Sequence, residues 1–522
     1  MPRITRKLLF EKDARDKLKA GVDTLANVVG MTLGPKGRNV IFEREYNFPV
    51  VVNDGVTIAK EVLLEDDFEN IGAQLLREAA IRTNDVAGDG TTTSIVIAQE
   101  LLHQAFILID NGENPMDIKR MLEKELRVLL KQLAEHKITV DSDEVIANVA
   151  TVSANNDREI GDLVMKAVKE VGKDGVITVE EHFGIETKLE IQKGFQIKSG
   201  LAHPILFTDF KRKEAEFKDI LVICMEHKIT GINDFLPIAT MLKDNGVKEC
   251  VLVASEVGGD SLAFFIEARR RSEFHCVAVK APYVGERQNE YMADIAAFTG
   301  GKVIGTTEKA KDVTMDDFGT VRRVISSQHH TTFIEGEGDE KVIKERVFSI
   351  MASLDKATDE FEKQFIKERA SKLRGGVAVL KVGALSEPEM KEKKYRIEDA
   401  INATQAALKE GVVIGGGMTF RRLIGADTPA LIANPLFSVF KKICENAGVE
   451  PTEKAEATAR KGGRYGYNVV NDKVEDLFEA GILDPYTVVR SALENSFSIA
   501  MMILSTGSVI AYSTDPAKAR II

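Results

Sequence analysis

"DVAGDGTTTSIVIAQELL", Asp85 to Leu102, decides how this chain is read. The residues before it, "IGAQLLREAAIRTN", place Ile71, Leu75, Leu76 and Ala79 at helical spacing, and an apolar helix follows, so Gly88 to Gly90 joins two helices rather than a strand and a helix. Gly88 and Gly90 permit backbone angles and close approach that side chains forbid. Thr91, Thr92 and Thr93 present amides and hydroxyls at a helix N-terminus, where the dipole favours negative charge. Asp89 offers an oxygen ligand to a hard cation. The stretch suits a triphosphate carrying magnesium; taken alone, a capped helix after a tight turn accounts for it equally well.

Working outward, 522 residues exceed one ordinary core and point to two to four domains. With 44% hydrophobic and 29% charged residues, the chain has the balance of a soluble globular protein. Lys and Arg total 70 against 81 Asp and Glu, a net −11 spread along the chain, which argues against nucleic acid as a partner. The four cysteines, Cys224, Cys250, Cys276 and Cys444, show no metal-ligand spacing and suit a reducing compartment. The settings of the first three, "ILVICM", "ECVLVA" and "HCVAVK", read as buried strands. The opening "MPRITRKLLFEKDARDKL" lacks an apolar stretch of signal-peptide length. The uncharged "NSFSIAMMILSTGSVIAYST", Asn495 to Thr514, is rich in Ser, Thr and Asn with Gly507 inside it, so a buried helix followed by a strand is expected there, not a membrane span. A cytoplasmic protein with no membrane contact is the expectation.

Helical periodicity dominates from Lys12 to about Lys137, broken by a candidate hairpin in "NVIFEREYNFPVVVNDG", Asn39 to Gly55. The middle differs: the cysteine-bearing strands alternate with helical "INDFLPIATMLKDNG" and "GDSLAFFIEARRRS", the signature of a parallel βαβ layer in a domain of its own. A long helix, "EMKEKKYRIEDAINATQAALKEG", ends at Gly411, and the remainder is again mainly helical.

Further glycine turns lie at both ends of the chain: "TLGPKGRNV" from Thr32, "VNDGVT" with Asp54, and "GVVIGGGM" from Gly411. None matches the P-loop or dinucleotide pattern, and each alone is weak. In this order, with "NDGVTIAKEVLLED", "NPMDIKR", "VGKDGVITVEE", "KAPYVGERQNEYMADIAAFTGG", "KLRGGVAVLKVGA", "EMKEKKYRIEDA", "YGYN" and "ILDP", they resemble the group I chaperonins over essentially the whole chain. The pairing of "TLGPKGRNV" with "AGDGTTT" is the specific part.

The resemblance implies a multidomain α and α/β chaperonin fold. A helical equatorial ATP-binding domain is expected from residues 1–136 and 411–522, a small α/β intermediate domain from 137–192 and 377–410, and an inserted apical α/β domain with the βαβ layer from 193–376. It implies an ATP-dependent chaperone, an ATPase that binds non-native protein clients in a ring cavity under a small co-chaperonin lid. The ring is expected to be heptameric, stacked in pairs in most of the family, with ATP, Mg2+ and K+ as cofactors. A closed ring agrees with the rule that head-to-tail contacts close or make filaments.

Carried over residue by residue, Thr32, Leu33, Gly34 and Pro35, with Asp89, Gly90, Thr91, Thr92 and Thr93, match the family's phosphate-binding turns, Asp89 as the magnesium ligand. Asp54 matches an acid near the γ-phosphate, with Asn53 beside it. Gly416, Asn468, Val469, Val470, Ile482 and Asp484 match the nucleoside pocket. Asp399 of "EDA" matches the acid that deprotonates the attacking water; spacing alone does not choose between it and Glu398, and the family match does. Leu201, Ile205, Leu206, Leu236, Leu262 and Ile266 match the apolar grip on clients and lid, although ordinary core positions would carry the same residues. Gly194, Gly376 and Gly411 lie where the domain crossings should hinge.

The chain departs from the family in four places. Asn53 stands where lysine is usual, and Glu267 where an apolar residue is expected. The stretch from Arg422 to Pro451, near the expected contact between rings, is shorter, and the closing "STDPAKARII" carries no Gly-Gly-Met repeat, so one ring or two stays open. Asn53 and the altered ring region support the alternative, a divergent paralogue with weak ATPase that serves as a binding or scaffold protein.

Overall fold

Apolar residues at helical spacing at both ends of the chain collect into one helical body. The computed structural model describes residues 6–44, 47–172, 175–182, 184–210, 212–305, 313–354 and 360–512; the closing segment 513–522 lies outside them. The chain divides into two units, the first from Met1–Lys169, Val179–Lys188 and Lys381–Ile522, the second from Glu170–Thr178 and Leu189–Leu380. Most of 137–192 and 377–410 falls with the chain ends.

At the centre of the first unit is the Thr91–Asp110 helix, packed by Glu11–Gly30, Asp67–Ala87, Ala430–Asn446 and Tyr486–Leu504. Its apolar length and composition would suffice to cross a bilayer, but Ile95, Ile97, Leu101 and Leu102 are sealed at 0% exposure by those neighbours. Each such side chain contributes roughly 1.5–3 kcal/mol by leaving water. Gly72 lets Asp67–Ala87 cross Glu11–Gly30 closely, since a Cβ there would sit 2.2 Å from the Leu18 carbonyl oxygen. The uncharged segment near the C-terminus behaves as its composition indicates: Tyr486–Leu504 is a core helix, with Phe497, Ala500 and Ile503 fully buried, and Ser508–Tyr512 is a strand paired antiparallel with Arg6–Phe10. Val40–Arg44 and Asn47–Val52 form the expected hairpin.

In the second unit, Ala215–Ile229, Glu249–Val257 and His275–Lys280 run parallel, with the Ile232–Asp244 and Gly259–Arg270 helices as crossovers. The βαβ layer is only half of the sheet. Gly319–Ser326, Thr331–Gly336 and Lys188–Ile197 continue it antiparallel from the Ala215–Ile229 edge. All four cysteines are free and buried, and Cys250 sits opposite Cys276 in register. Phe195, Phe235, Phe265, Tyr291 and Phe333 fill the core. Behind the sheet, the wholly buried Asp294 receives Arg346 Nε at 2.7 Å and Arg369 Nε at 2.6 Å, which ties the Glu286–Thr299, Glu340–Ala352 and Glu360–Arg374 helices together.

Candidate functional site

The Gly88 to Gly90 turn takes the form its residues allow. Gly88 (φ 68°) closes the Asp67–Ala87 helix and Gly90 (φ 80°) opens Thr91–Asp110, both left-handed. Gly88 also admits a neighbour: a Cβ there would lie 2.3 Å from the Asn402 Cβ, so the Glu387–Glu410 helix approaches the turn only because position 88 is glycine. No side chain caps the Thr91 helix, and its first helical bond runs from the Ser94 amide to the Gly90 carbonyl at 3.0 Å. The amides of Thr91, Thr92 and Thr93 are thereby left for a ligand.

Around this turn is a cavity of about 460 Å³ within the first unit. Thr32, Leu33, Gly34 and Pro35 line one part of it, steadied by the Asn446 side-chain amide, which donates to the Gly30 and Leu33 carbonyls at 2.9 and 2.8 Å. Thr32 Oγ1 lies 3.4 Å from Thr92 Oγ1. Asn53 and Asp54 line another part. Asp54 is the N-cap of Gly55–Glu61, accepting from the Val56 amide at 3.1 Å, the Thr57 amide at 2.9 Å and Thr57 Oγ1 at 2.5 Å, so its carboxylate is fixed in place. Gly416, Asn468, Val469, Val470, Ile482 and Asp484 complete the lining together with Asp89, Gly90, Thr91, Thr92, Thr93 and Asp399. Every nucleotide-site residue named from sequence therefore faces one cavity. A second hollow, of about 640 Å³ beside Asn434, Lys441 and Glu450, gathers none of the glycine turns.

The structure separates two acids that spacing left equal: Asp399 lines the cavity and Glu398 does not. It also adds residues that carry no sequence pattern. Ser153, at the end of the Asp143–Ser153 helix, donates to Asp89 Oδ2 at 2.7 Å, while the Gly90 amide donates to Asp89 Oδ1 at 2.5 Å. Asn155 and Asn156, with φ of 60° and 63°, line the same wall in the left-handed region.

Three carboxylates here are poorly solvated and unbalanced. Burial first, then the charges of Asp54, Asp89 and Glu398, push Asp399 well above the usual carboxylate range. Burial raises Asp89 against the pull of Ser153 and the Gly90 amide, with Asp54 adding to the rise. Asp484 is pushed up to about 7 by burial and by Asp89. Among the described residues none of the three has a lysine or arginine partner; Arg396, which also lines the cavity, is held by Asp157 at 3.1 Å and Glu392 at 2.8 Å. An anion alone would be repelled by such a site, and a cation alone would leave the bare helix amides unused. A polyphosphate carrying a divalent cation satisfies both.

The apolar residues named as a grip belong to the second unit and divide by exposure. Ile205 (41%) and Leu236 (45%) reach solvent, and Leu262 and Ile266 are half-buried. Leu201 (8%) and Leu206 (0%) offer no comparable surface, because Leu201 bridges to Val279 at the sheet edge and Leu206 points into the core. Phe210 (62%) and Ile232 (44%) are exposed instead, each one turn or loop away from a named position.

A helical body built from both chain ends, an inserted mixed sheet and an acid-and-amide cavity define a chaperonin-type subunit. The chain belongs to the TCP-1/cpn60 chaperonin family, whose pattern it matches over residues 25–426 and 430–514. Among solved structures it is similar to the chaperonin gp146 from the bacteriophage EL (Pseudomonas aeruginosa), determined in the presence of ATP-BeFx. The identity is 19%, with a TM-score of 0.65 over 97% of this chain and 99% of that one.

Proposed function

We propose that this chaperonin is an ATP-driven folding machine whose hydrolytic site is the cavity around Asp89 and Asp399. The observation that carries the reading is the meeting of unneutralised carboxylates with the uncapped N-terminus of the Thr91–Asp110 helix. Asp89 would hold Mg2+, which supplies the positive charge that lets a triphosphate share a cavity with these acids. The Thr91, Thr92 and Thr93 amides receive phosphate oxygens, and the wall from Gly416 through Asn468, Val469, Val470, Ile482 and Asp484 takes the nucleoside. Asp399 orients a water against the terminal phosphate and accepts its proton. Its raised affinity for a proton falls into the range of a general base once positive charge enters the cavity.

In the same proposal the subunit self-associates into a heptameric ring, holds non-native protein on the exposed apolar surface of the second unit, and is closed by a small co-chaperonin. K+ assists turnover, and a reducing cytoplasmic compartment suits four free buried cysteines. Family membership and the exposed Ile205, Phe210, Ile232 and Leu236 support this part.

A second reading, a scaffold paralogue with weak turnover, draws on Asn53. Its amide donates to Asn39 Oδ1 at 3.0 Å and brings no cation to the phosphates. Steady-state ATP turnover of the full chain beside Asp399→Ala, with magnesium and potassium present, decides between them. The expected result is that the variant binds ATP and assembles like the wild type while turnover falls by about a hundredfold or more. Turnover absent from both proteins selects the scaffold, and equal turnover in both removes Asp399 from the chemistry.

A further inference from the structure

Three consecutive arginines close the Gly259–Arg270 helix, and they are used differently. Arg270 and Arg271 share Glu267, at 3.7 and 2.8 Å. Arg269, between that pair and the core, has no carboxylate partner among the described residues, and burial works against its charge. Its guanidinium is spent on a neighbouring turn: Nη1 donates to the Ile205 carbonyl and Nη2 to the Phe207 carbonyl, and the Phe210 ring lies 5.7 Å from its central carbon.

The turn needs such help. Pro204–Leu206 is a single 3-10 turn, a weak element by itself. Its amides are satisfied locally, Ile205 by His203 Nδ1 at 3.2 Å, Leu206 by the His203 carbonyl and Phe207 by the Pro204 carbonyl, both at 3.1 Å. Among the described residues no backbone amide donates to the carbonyls of Ile205 and Phe207, and Arg269 is what meets them. Leu206 and Phe207 point into the core, so the register that buries them turns Ile205 outward. Arg269 joins this turn to the Gly259–Arg270 helix, which in turn packs on Ile232–Asp244, where Ile232 and Leu236 are exposed.

We propose that Arg269 is a positioning residue that fixes Ile205 and Phe210 beside the Gly259–Arg270 helix, so that they extend the exposed Ile232 and Leu236 into one preorganised apolar surface for extended non-native segments. The inference rests on the client-holding reading above. Preorganisation matters because each loose side chain that must be ordered on binding subtracts from affinity. Lysine is no substitute: a single ammonium does not span two carbonyls as the planar guanidinium does.

The test uses the full-length chain without nucleotide and a fluorescein-labelled synthetic peptide alternating leucine and serine. Arg269→Ala and Arg269→Lys are both expected to weaken peptide binding on the order of tenfold, with Arg270→Ala as the control that binds like wild type. Amide hydrogen exchange is expected to accelerate at residues 205–210 and nowhere else, with the unfolding midpoint unchanged. Arg269→Lys keeps the aliphatic stem and carries the test if Arg269→Ala fails to fold. Undiminished binding in both variants overturns the positioning role while leaving client capture intact. A wild-type protein that does not hold the peptide overturns client capture itself and the inference with it, and faster exchange at 205–210 would then mark Arg269 as a structural clamp alone.

Discussion

The two units shelter carboxylates from water, and they treat them in opposite ways. In the second unit the wholly buried Asp294 is gripped by Arg346 and Arg369, with Arg369 Nη2 at 3.0 Å completing a two-pronged contact. In the first, Asp89, Asp399 and Asp484 surround a cavity without one cationic partner among the described residues, and their protons are held more tightly than usual. A charge neutralised from inside the fold belongs to the architecture. A group of charges left unneutralised around a cavity is completed by what binds there.

The strongest way to break this contrast is at Asp294. Asp294→Ala takes the shared carboxylate from two guanidinium groups, leaving Arg369, at 4% exposure, with Glu290 as its carboxylate partner and Arg346 with the Glu290 carbonyl, and is expected to cost about 3 kcal/mol of stability in urea unfolding followed on the second unit. Asp399→Asn in ligand-free protein should cost nothing, because it removes repulsion. An equal loss from both would erase the distinction between the two acids.

A middling effect is expected with pH. Asp484 titrates at about 7 instead of 3.8, so between those values the folded protein keeps a proton that the unfolded chain has released. Stability from this group therefore falls as pH rises through that window. Thermal unfolding of ligand-free protein from about pH 5 to about pH 7 should show Asp484→Asn gaining on the wild type as pH increases, with the difference closing toward the acid end. A constant offset would mean that the cavity wets more than its walls suggest.

The smallest effect sharpens the reading of the missing cation. Asn53→Lys, freed from Asn39, should tighten ATP binding roughly threefold, the worth of one partly exposed charge. Unchanged affinity would mean that only the backbone at position 53 meets the nucleotide.

Where residues act through pattern, the sequence was readable. Periodicity and glycine placement foretold the helices around Gly88 to Gly90, the core helix at Tyr486–Leu504 and the parallel strands with their crossovers. The antiparallel half of the sheet went unread because two of its pairings, Lys188–Ile197 with Thr331–Gly336 and Gly319–Ser326 with Ala215–Ile229, join distant segments, and the one local hairpin, Gly319–Ser326 with Thr331–Gly336, turns through Ser327 to His330 without a glycine or proline to mark it. Asp399 and Glu398 differ by about 100° around a helix, which only packing can orient. Ser153 is one serine at a helix end, and Leu206 and Ile205 differ only in which way a three-residue turn faces. Arg269 looked like any arginine in a run of three.

That the chain's two ends share one unit has a consequence during synthesis. The Thr91–Asp110 helix leaves the ribosome before any of the second unit, yet two of the surfaces that cover it, Ala430–Asn446 and Tyr486–Leu504, are made only after that unit. Most of the second unit is one uninterrupted stretch from Leu189 to Leu380 and has its partners as soon as it emerges. The nascent protein thus carries a half-covered apolar helix while the second unit is being made, and in that interval it is itself a partly folded chain in need of shelter.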